Sequence, residues 1–362
     1  MEFDLDDDQR ALRDEARRFL EREAGIAYAR SMMEDERGYT DETWKKMAAL
    51  GWTALPFSEA AGGLGQGFVA LAILLAEMGR VVLPGPFFST VVLAGSAISE
   101  AGTDAQRKEL LPAICEGELL AAAVVPNTDA DVAIEARDDR LFGKASFITD
   151  GVVADRFVVI ARGSDGVGLF LTSREGVEVT PISSMDQTRK VADVRFEGAP
   201  AERLGEAEWP AVQRVLDRAC VALAAEMLGG AERVLELSVE YAKQRVQFDR
   251  PIGSFQAVKH RAADMLLDVE SLRSAVYYAA WALERGHRDA SLAASMAKAY
   301  ASDAYRKVAA SGIQIHGGIG FTWEADLHLY FKRAKASEVA FGDASFHRER
   351  MAQILRERYA PA

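Results

Sequence analysis

Three regimes of hydrophobic patterning follow one another along the chain. From residue 6 to about 117, apolar positions recur at helical spacing. Asp6 or Asp7 is placed to cap a helix that buries Leu12, Ala16, Phe19 and Leu20. Thr40 precedes a short helix carrying Trp44, Met47 and Leu50 on one face, with Gly51 as its stop. Thr103, with Gln106 three residues on, reads as a capping box for a helix to about Cys115. Pro84, Gly85 and Pro86 form a break between these helices.

From about 119 to 204 the period shortens. Apolar or alternating runs at 121–125, 141–148, 156–161, 168–172, 177–181 and 191–196 are separated by turn residues such as Asp138-Asp139, Asp150-Gly151 and Glu175-Gly176. Six or seven strands at this spacing predict a small antiparallel barrel or sandwich. From about 206 onward the helical period returns in long segments: 209 to about 245, 254–285 capped by Ser254 and ended by Gly286, 289 to about 310, and 323 to about 340. The second of these would be about 48 Å long. Alanine at contact spacing suits a tightly packed antiparallel bundle. The expected fold is α+β, mainly α. It has an N-terminal helical domain (1–118), a small middle β-barrel or sandwich (119–205) and a C-terminal four-helix bundle (206–362).

Composition narrows the function classes. Hydrophobic residues make up 49% and charged residues 27% of the 362, an ordinary globular balance. No stretch approaches the roughly 18 apolar residues of a membrane span, and the acidic start at Met1–Asp8 lacks the basic and apolar regions of a secretory signal. Cys115 and Cys220 lie far apart, which fits reduced thiols and a cytoplasmic protein. The net charge of -12 argues against nucleic acid or anionic membrane as a main partner, while leaving room for one local basic pocket. His260, His287, His316, His328 and His347 show no metal-ligand spacing, so no metal site is expected.

Two clusters in the last third carry the candidate chemistry. The first, 245–256, holds Arg245, Phe248, Arg250, Pro251, Phe255 and Gln256 in the connection between two long helices. Guanidinium groups, backbone N–H groups at the next helix start and aromatic rings together suit a pyrophosphate with a stacking surface. The segment also fits an ordinary helix–helix connection. The second cluster is Gln314, His316, Gly317, Gly318, Gly320 and Phe321, followed by Trp323 and Glu324. Its glycines would let backbone approach a ligand, or would serve as a plain linker. His316 in this loop fits a polar contact or solvent equally. Lys332, Arg333 and Lys335 read as a solvated face.

In that order and at that separation, the two clusters resemble the acyl-CoA dehydrogenase family. The Gly62–Gly65 loop, the segment from Gly102 to Glu118, and Lys144 through Phe147, Thr149 and Gly151 agree with it, so the resemblance spans nearly the whole chain. It implies FAD held between two subunits. Arg245, Phe248, Phe255, Gln256, Gln314, Gly317 and Gly318 would reach the FAD of a neighbouring chain. Phe147 and Thr149 would pack against the chain's own flavin. It also implies an acyl-CoA substrate, α,β-dehydrogenation in which a carboxylate takes the α-proton and the β-hydride goes to flavin, a tetramer, and an electron-transfer flavoprotein as a candidate electron acceptor.

The sequence departs from the family in two places. The catalytic glutamate stands just before a glycine, and here that position is Phe341, before Gly342. The position that bears the base in other members aligns with Ala219. Asp217, Glu226 and Asp343 lie nearby without matching, and as carboxylates they also fit solvated or capping roles. The usual Thr-Glu-Pro stretch after the first strand is replaced by Val124 through Asp131. Both losses fall on the half of the site a chain provides for its own flavin. A subset of the family forms two-plus-two hetero-oligomers in which one chain has lost the base, often with bulky substrates such as steroid side chains. The expectation is therefore a base-less partner chain supporting FAD-dependent dehydrogenation of an acyl-CoA. The alternatives are a homo-oligomeric dehydrogenase with a relocated base, and a non-catalytic assembly protein that lost flavin.

Overall fold

The structure, a computed structural model, describes residues 5–206 and 208–359. The first four residues of the acidic start lie outside the described residues. Helices α1 (Asp7–Glu23), α2 (Ile26–Glu34), α3 (Asp41–Ala49), α4 (Gly67–Arg80), α5 (Ser96–Ala101) and α6 (Asp104–Cys115) precede a β region. A π-helical stretch, Phe88–Gly95, leads into α5. The strands are β1 (Ala121–Val124), β2 (Glu135–Arg137), β3 (Arg140–Thr149), β4 (Arg156–Gly163), β5 (Gly166–Ser173), β6 (Val177–Ile182) and β7 (Val191–Arg203). Then come α7 (Trp209–Gln244), the hairpin β8 (Val246–Gln247) and β9 (Arg250–Pro251), α8 (Gln256–Glu284), α9 (Ala290–His316), α10 (Leu327–Val339) and α11 (Ala344–Tyr359). The chain divides into two compact units: Met1–Ala27 with Ala72–Leu83 and Cys220–Ala362, and Tyr28–Leu71 with Pro84–Ala219.

The second of these units contains all seven strands of the main sheet. β4 pairs with β2, β2 with β3, β3 with β7, β7 with β5, and β5 again with β4, so the sheet closes on itself. Closure pairs β2, β3, β4, β5 and β7 on both sides, while β1 and β6 each add to the ring through one neighbour, β4 and β7. β1 runs parallel to β4 (Ala121 opposite Arg156), and β2 is also parallel to β4, so the barrel is not purely antiparallel as its short spacing predicts. Strand β2 lacks an apolar run and escapes a pattern search, while β7 extends seven residues beyond its predicted end at 196. Alternation on β7 buries Ala192 and drives Val194 and Phe196 into the core with Leu141, Phe157, Val159 and Phe170. Phe157 meets Phe196 edge-on with centroids 6.3 Å apart. In the same unit the Thr40 cap forms, and Trp44 and Met47 are buried, but Leu50 is 40% exposed because α3 ends one residue before it. The Thr103–Gln106 capping box is reciprocal, at 2.9 and 3.2 Å.

The other unit holds a bundle. Asp6 caps α1 in a capping box with Gln9, and Ala16, Phe19 and Leu20 are its buried face; Leu12 is only half-buried. Two glycines permit a close crossing of α4 and α7. A Cβ on Gly79 would lie 1.9 Å from the Glu226 carbonyl oxygen, and one on Gly229 would lie 1.7 Å from that of Ala76. Arg17 chelates Glu77 at 2.8 and 2.7 Å, and Arg80 chelates Glu236 at 2.9 and 2.6 Å.

Four boundaries differ from the sequence reading. Ser254 lies in a 3₁₀ turn, and the cap position of α8 is Phe255, which makes no side-chain cap bond. α9 runs six residues past 310, because Ile313 and Ile315 continue its buried face and Gly312 packs on Val234 and Ser238 instead of ending the helix. α10 begins at Leu327, four residues after the expected 323. The bundle has a fifth helix, α11, started by the Asp343 carboxylate accepting from the Phe346 N–H at 2.8 Å. Among the described residues no helix is long and apolar enough to cross a membrane.

Candidate functional site

α7 ends where the Arg245 N–H still bonds back to the Tyr241 carbonyl at 2.8 Å, and the Ile252 N–H closes the loop onto the Arg245 carbonyl at 2.8 Å. Between them lies the β8–β9 hairpin. Its tip residues, Phe248 (φ +54°) and Asp249 (φ +60°), both take the left-handed conformation that a two-residue hairpin requires and that side chains resist. The phenylalanine is 86% exposed at this strained tip. The Phe255 ring is half-buried; it meets Phe248 edge-on at 6.1 Å and carries the Arg250 guanidinium 4.2 Å above it. Arg245 and Gln256 are exposed. Because α8 lacks a side-chain cap, its first N–H groups remain open to an anion.

The second cluster sits at the end of α9. Gln314 is exposed and lines a groove of about 580 Å³ with Arg261, Tyr300, Arg306 and Lys307. Gly317, with φ +65° and ψ −142°, terminates the helix in a conformation open to glycine alone. Added Cβ atoms on Gly317 or Gly318 would meet nothing within 4 Å. These glycines therefore end α9 and lead into a 3₁₀ turn, Gly317–Phe321, instead of opening a helix. His316 links the two clusters. Its ring stacks on Tyr241, one turn before Arg245, at 4.2 Å and 22°, and its Nδ1 donates to the Gly312 carbonyl at 2.9 Å. Burial lowers its pKa. The arginine turn and the glycine bend thus converge on one end of the bundle. Tyr241 was missed in the sequence because nothing there pairs an α7 tyrosine with a loop histidine 75 positions on.

In the β-containing unit, a register shift between Ala145 and Ile148 lets β3 bulge, and Phe147 takes φ +60° with 66% of its surface exposed. Thr149 is half-buried two residues on. Asp150, buried and itself left-handed, accepts a hydrogen bond from Ser89 Oγ at 2.7 Å. This brace from the π-helical stretch was not anticipated. Of the altered Val124–Asp131 segment, Thr128 and Asp131 form a local cap, with Arg162 reaching Asp129.

Two of the three carboxylates singled out in the sequence occupy other roles. Glu226 is buried against Arg333 at 2.7 Å, so neither Glu226 nor Arg333 belongs to a solvated face. Asp343 is exposed and starts α11. Asp217 is buried on α7. Phe341 is half-buried with φ +57°. Lys332 lies 4.3 Å over the exposed Trp323 ring. Among the described residues no group of three His, Cys, Asp or Glu side chains is arranged to hold a metal.

Comparison with known proteins accounts for this arrangement. The family model for the acyl-CoA dehydrogenase N-terminal domain matches residues 6–118, and that for the C-terminal domain matches 209–355. The acyl-CoA dehydrogenase IpdE2 of Mycobacterium tuberculosis is 35% identical over 332 residues, 91% of this chain and 92% of its own. Two solved structures superpose closely. The ChsE4-ChsE5 complex from Mycobacterium tuberculosis has a TM-score of 0.92 at 27% identity, covering 100% of both chains. The Tcur3481-Tcur3483 steroid ACAD has a TM-score of 0.89 at 32% identity, covering 98% of this chain and 99% of that one. The chain belongs to the acyl-CoA dehydrogenase family, FAD-dependent oxidoreductases.

Proposed function

We propose that this chain is the base-less partner subunit of a hetero-oligomeric acyl-CoA dehydrogenase, completing a neighbour's FAD site. The observation that carries the reading is Phe341: the position just before Gly342 bears an aromatic ring that cannot take a proton. Glu226 is committed to Arg333 and Asp343 to the start of α11, which weighs against either as a relocated base. The chemistry on offer fits FAD. Open space stands over Gly317 and Gly318, the α8 N-terminus is uncapped, and Arg245 and Phe248 are exposed beside it. Arg245 and the α8 N–H groups would hold the pyrophosphate, Phe248 and Phe255 would pack on the cofactor, and Gln256, Gln314 and the glycine backbone would complete the cradle. Phe147 and Thr149 are the half-site this chain offers a flavin of its own. FAD, when bound, accepts the β-hydride of the thioester. This chain's part is to bind, orient and exclude water, while the partner supplies the carboxylate.

The steroid character of a close structural relative supports a bulky acyl-CoA as substrate. The division at 118 and 205 belongs to the same reading and is supported by the limits of the two family models. Both cysteines are buried and unbridged, which supports a cytoplasmic setting. The test is to purify the chain alone and together with the dehydrogenase-like product encoded beside it. The expected result is a flavin-loaded hetero-oligomer only from co-expression. A homo-oligomer of this chain with stoichiometric FAD and acyl-CoA turnover would overturn the reading.

A further inference from the structure

The connection between α10 and α11 passes through two left-handed residues in succession, Phe341 at φ +57° and Gly342 at φ +93°. Glycine is needed at the second, because a Cβ there would lie 2.3 Å from the Phe346 ring. Phenylalanine at the first adopts a conformation that side chains resist, and such a residue persists only where its surroundings over-determine it. Buried groups from three helices do so here. Lys298 of α9 is fully buried, and its Nζ donates to the Glu338 carbonyl (3.1 Å), the Gly342 carbonyl (2.9 Å) and Ser302 Oγ (2.9 Å). The first two acceptors bracket the turn. His347 of α11 donates through Nε2 to the Phe341 carbonyl at 2.9 Å, and Cys220 Sγ of α7 lies 3.9 Å from the same oxygen.

We propose that Lys298 and His347 are positioning residues that latch the α10–α11 turn into the left-handed conformation of residue 341, although residue 341 carries no carboxylate. The functional meaning rests on the reading of position 341 given above; the latch itself rests on the hydrogen bonds. An ammonium has three N–H donors and Lys298 meets three acceptors, whereas the neutral amine has only two N–H groups to offer. Burial lowers the Lys298 pKa to about 8, opposed by Cys220, Asp343 and Glu338. Burial lowers that of His347 to about 4, helped by Lys298 and Arg350 and opposed by the Phe341 carbonyl and Asp343. Between these limits the imidazole is neutral and the ammonium charged, and the latch is complete. Above the upper limit one of the three bonds is lost.

The test is hydrogen–deuterium exchange of peptides spanning 339–347 in the full chain, corrected for intrinsic base catalysis, at pH 7 and pH 9. The wild type should exchange there about tenfold faster at pH 9, with no corrected change in the α7 peptides. Lys298→Met should exchange fast at both pH values. Ser302→Ala, which removes one acceptor and leaves the lysine, serves if Lys298→Met does not fold, and should shrink the step. His347→Gln keeps a side-chain N–H donor and should keep the step. A wild type without a pH step, or a Lys298→Met chain as slow as wild type, would refute the latch. Adding acetoacetyl-CoA to the flavin-loaded hetero-oligomer separates the two claims. Protection of 339–347 supports position 341 as part of the acyl site, whereas an intact step without protection sinks that assignment and leaves the latch standing.

Discussion

Replacing Glu226 by glutamine changes one atom group in a deeply enclosed ion pair of the bundle unit. Glu226 Oε1 and Arg333 Nη1 lie 2.7 Å apart, and their side chains are 6% and 3% exposed. On a surface such a pair contributes at most about 1 kcal/mol. Here water cannot replace the lost carboxylate charge, and removing one partner of a buried pair costs about 3–5 kcal/mol. Glu226→Gln is therefore expected to lower unfolding stability by that amount. Glu226→Met combined with Arg333→Met should recover part of the loss, because the double variant removes both members of this pair instead of leaving one charge behind. Urea denaturation followed by far-UV circular dichroism measures both, with flavin content and turnover of the hetero-oligomer recorded in parallel. A glutamine variant within about 1 kcal/mol of wild type would refute the argument. Unchanged stability together with abolished turnover would make Glu226 the relocated base, and the partner-chain reading would fall with it.

Three further outcomes follow from the same geometry. Gly229→Ala drives a methyl group into the Ala76 carbonyl and should destabilise the chain by about 3 kcal/mol, while substitution at exposed Gly318 should leave stability unchanged; thermal unfolding separates them. Phe248→Ala should leave stability within about 0.5 kcal/mol, because the ring is exposed, yet weaken FAD retention in the hetero-oligomer, read by gel filtration and absorbance. His347, held neutral by burial down to about pH 4, binds fewer protons folded than unfolded between there and its ordinary 6.5. Its stabilising effect is thus complete above about pH 6.5 and lost as pH falls to 4, a step of about 3 kcal/mol that His347→Gln should remove from the pH dependence of unfolding.

Local chemistry was legible at three of the caps and failed at a fourth, Ser254, which the hairpin connection draws into a 3₁₀ turn one residue before the cap position. The caps at Asp6, Thr40 and Thr103 form because a side-chain oxygen and an N–H three residues on need no third party. The order of helices, strands and helices was legible for the same reason, since the period of apolar residues reports which face an element buries. The absence of a carboxylate at Phe341 is likewise a fact of the chain itself.

Tertiary structure decided what depends on partners distant in sequence. Short β2 exists because β3 and β4 offer it hydrogen bonds, and its own residues carry no strand pattern. Gly312 lies past the expected end of its helix near 310, yet α9 continues through it because a glycine there permits the narrow approach to Val234 and Ser238. Arg333 and Glu226, each an ordinary surface charge in isolation, become a buried pair only when α7 meets α10. The stacking of His316 on Tyr241, which draws two separate motifs to one end of the bundle, has no one-dimensional signature, because a contact between rings 75 positions apart is set by helix length and crossing and not by local propensity.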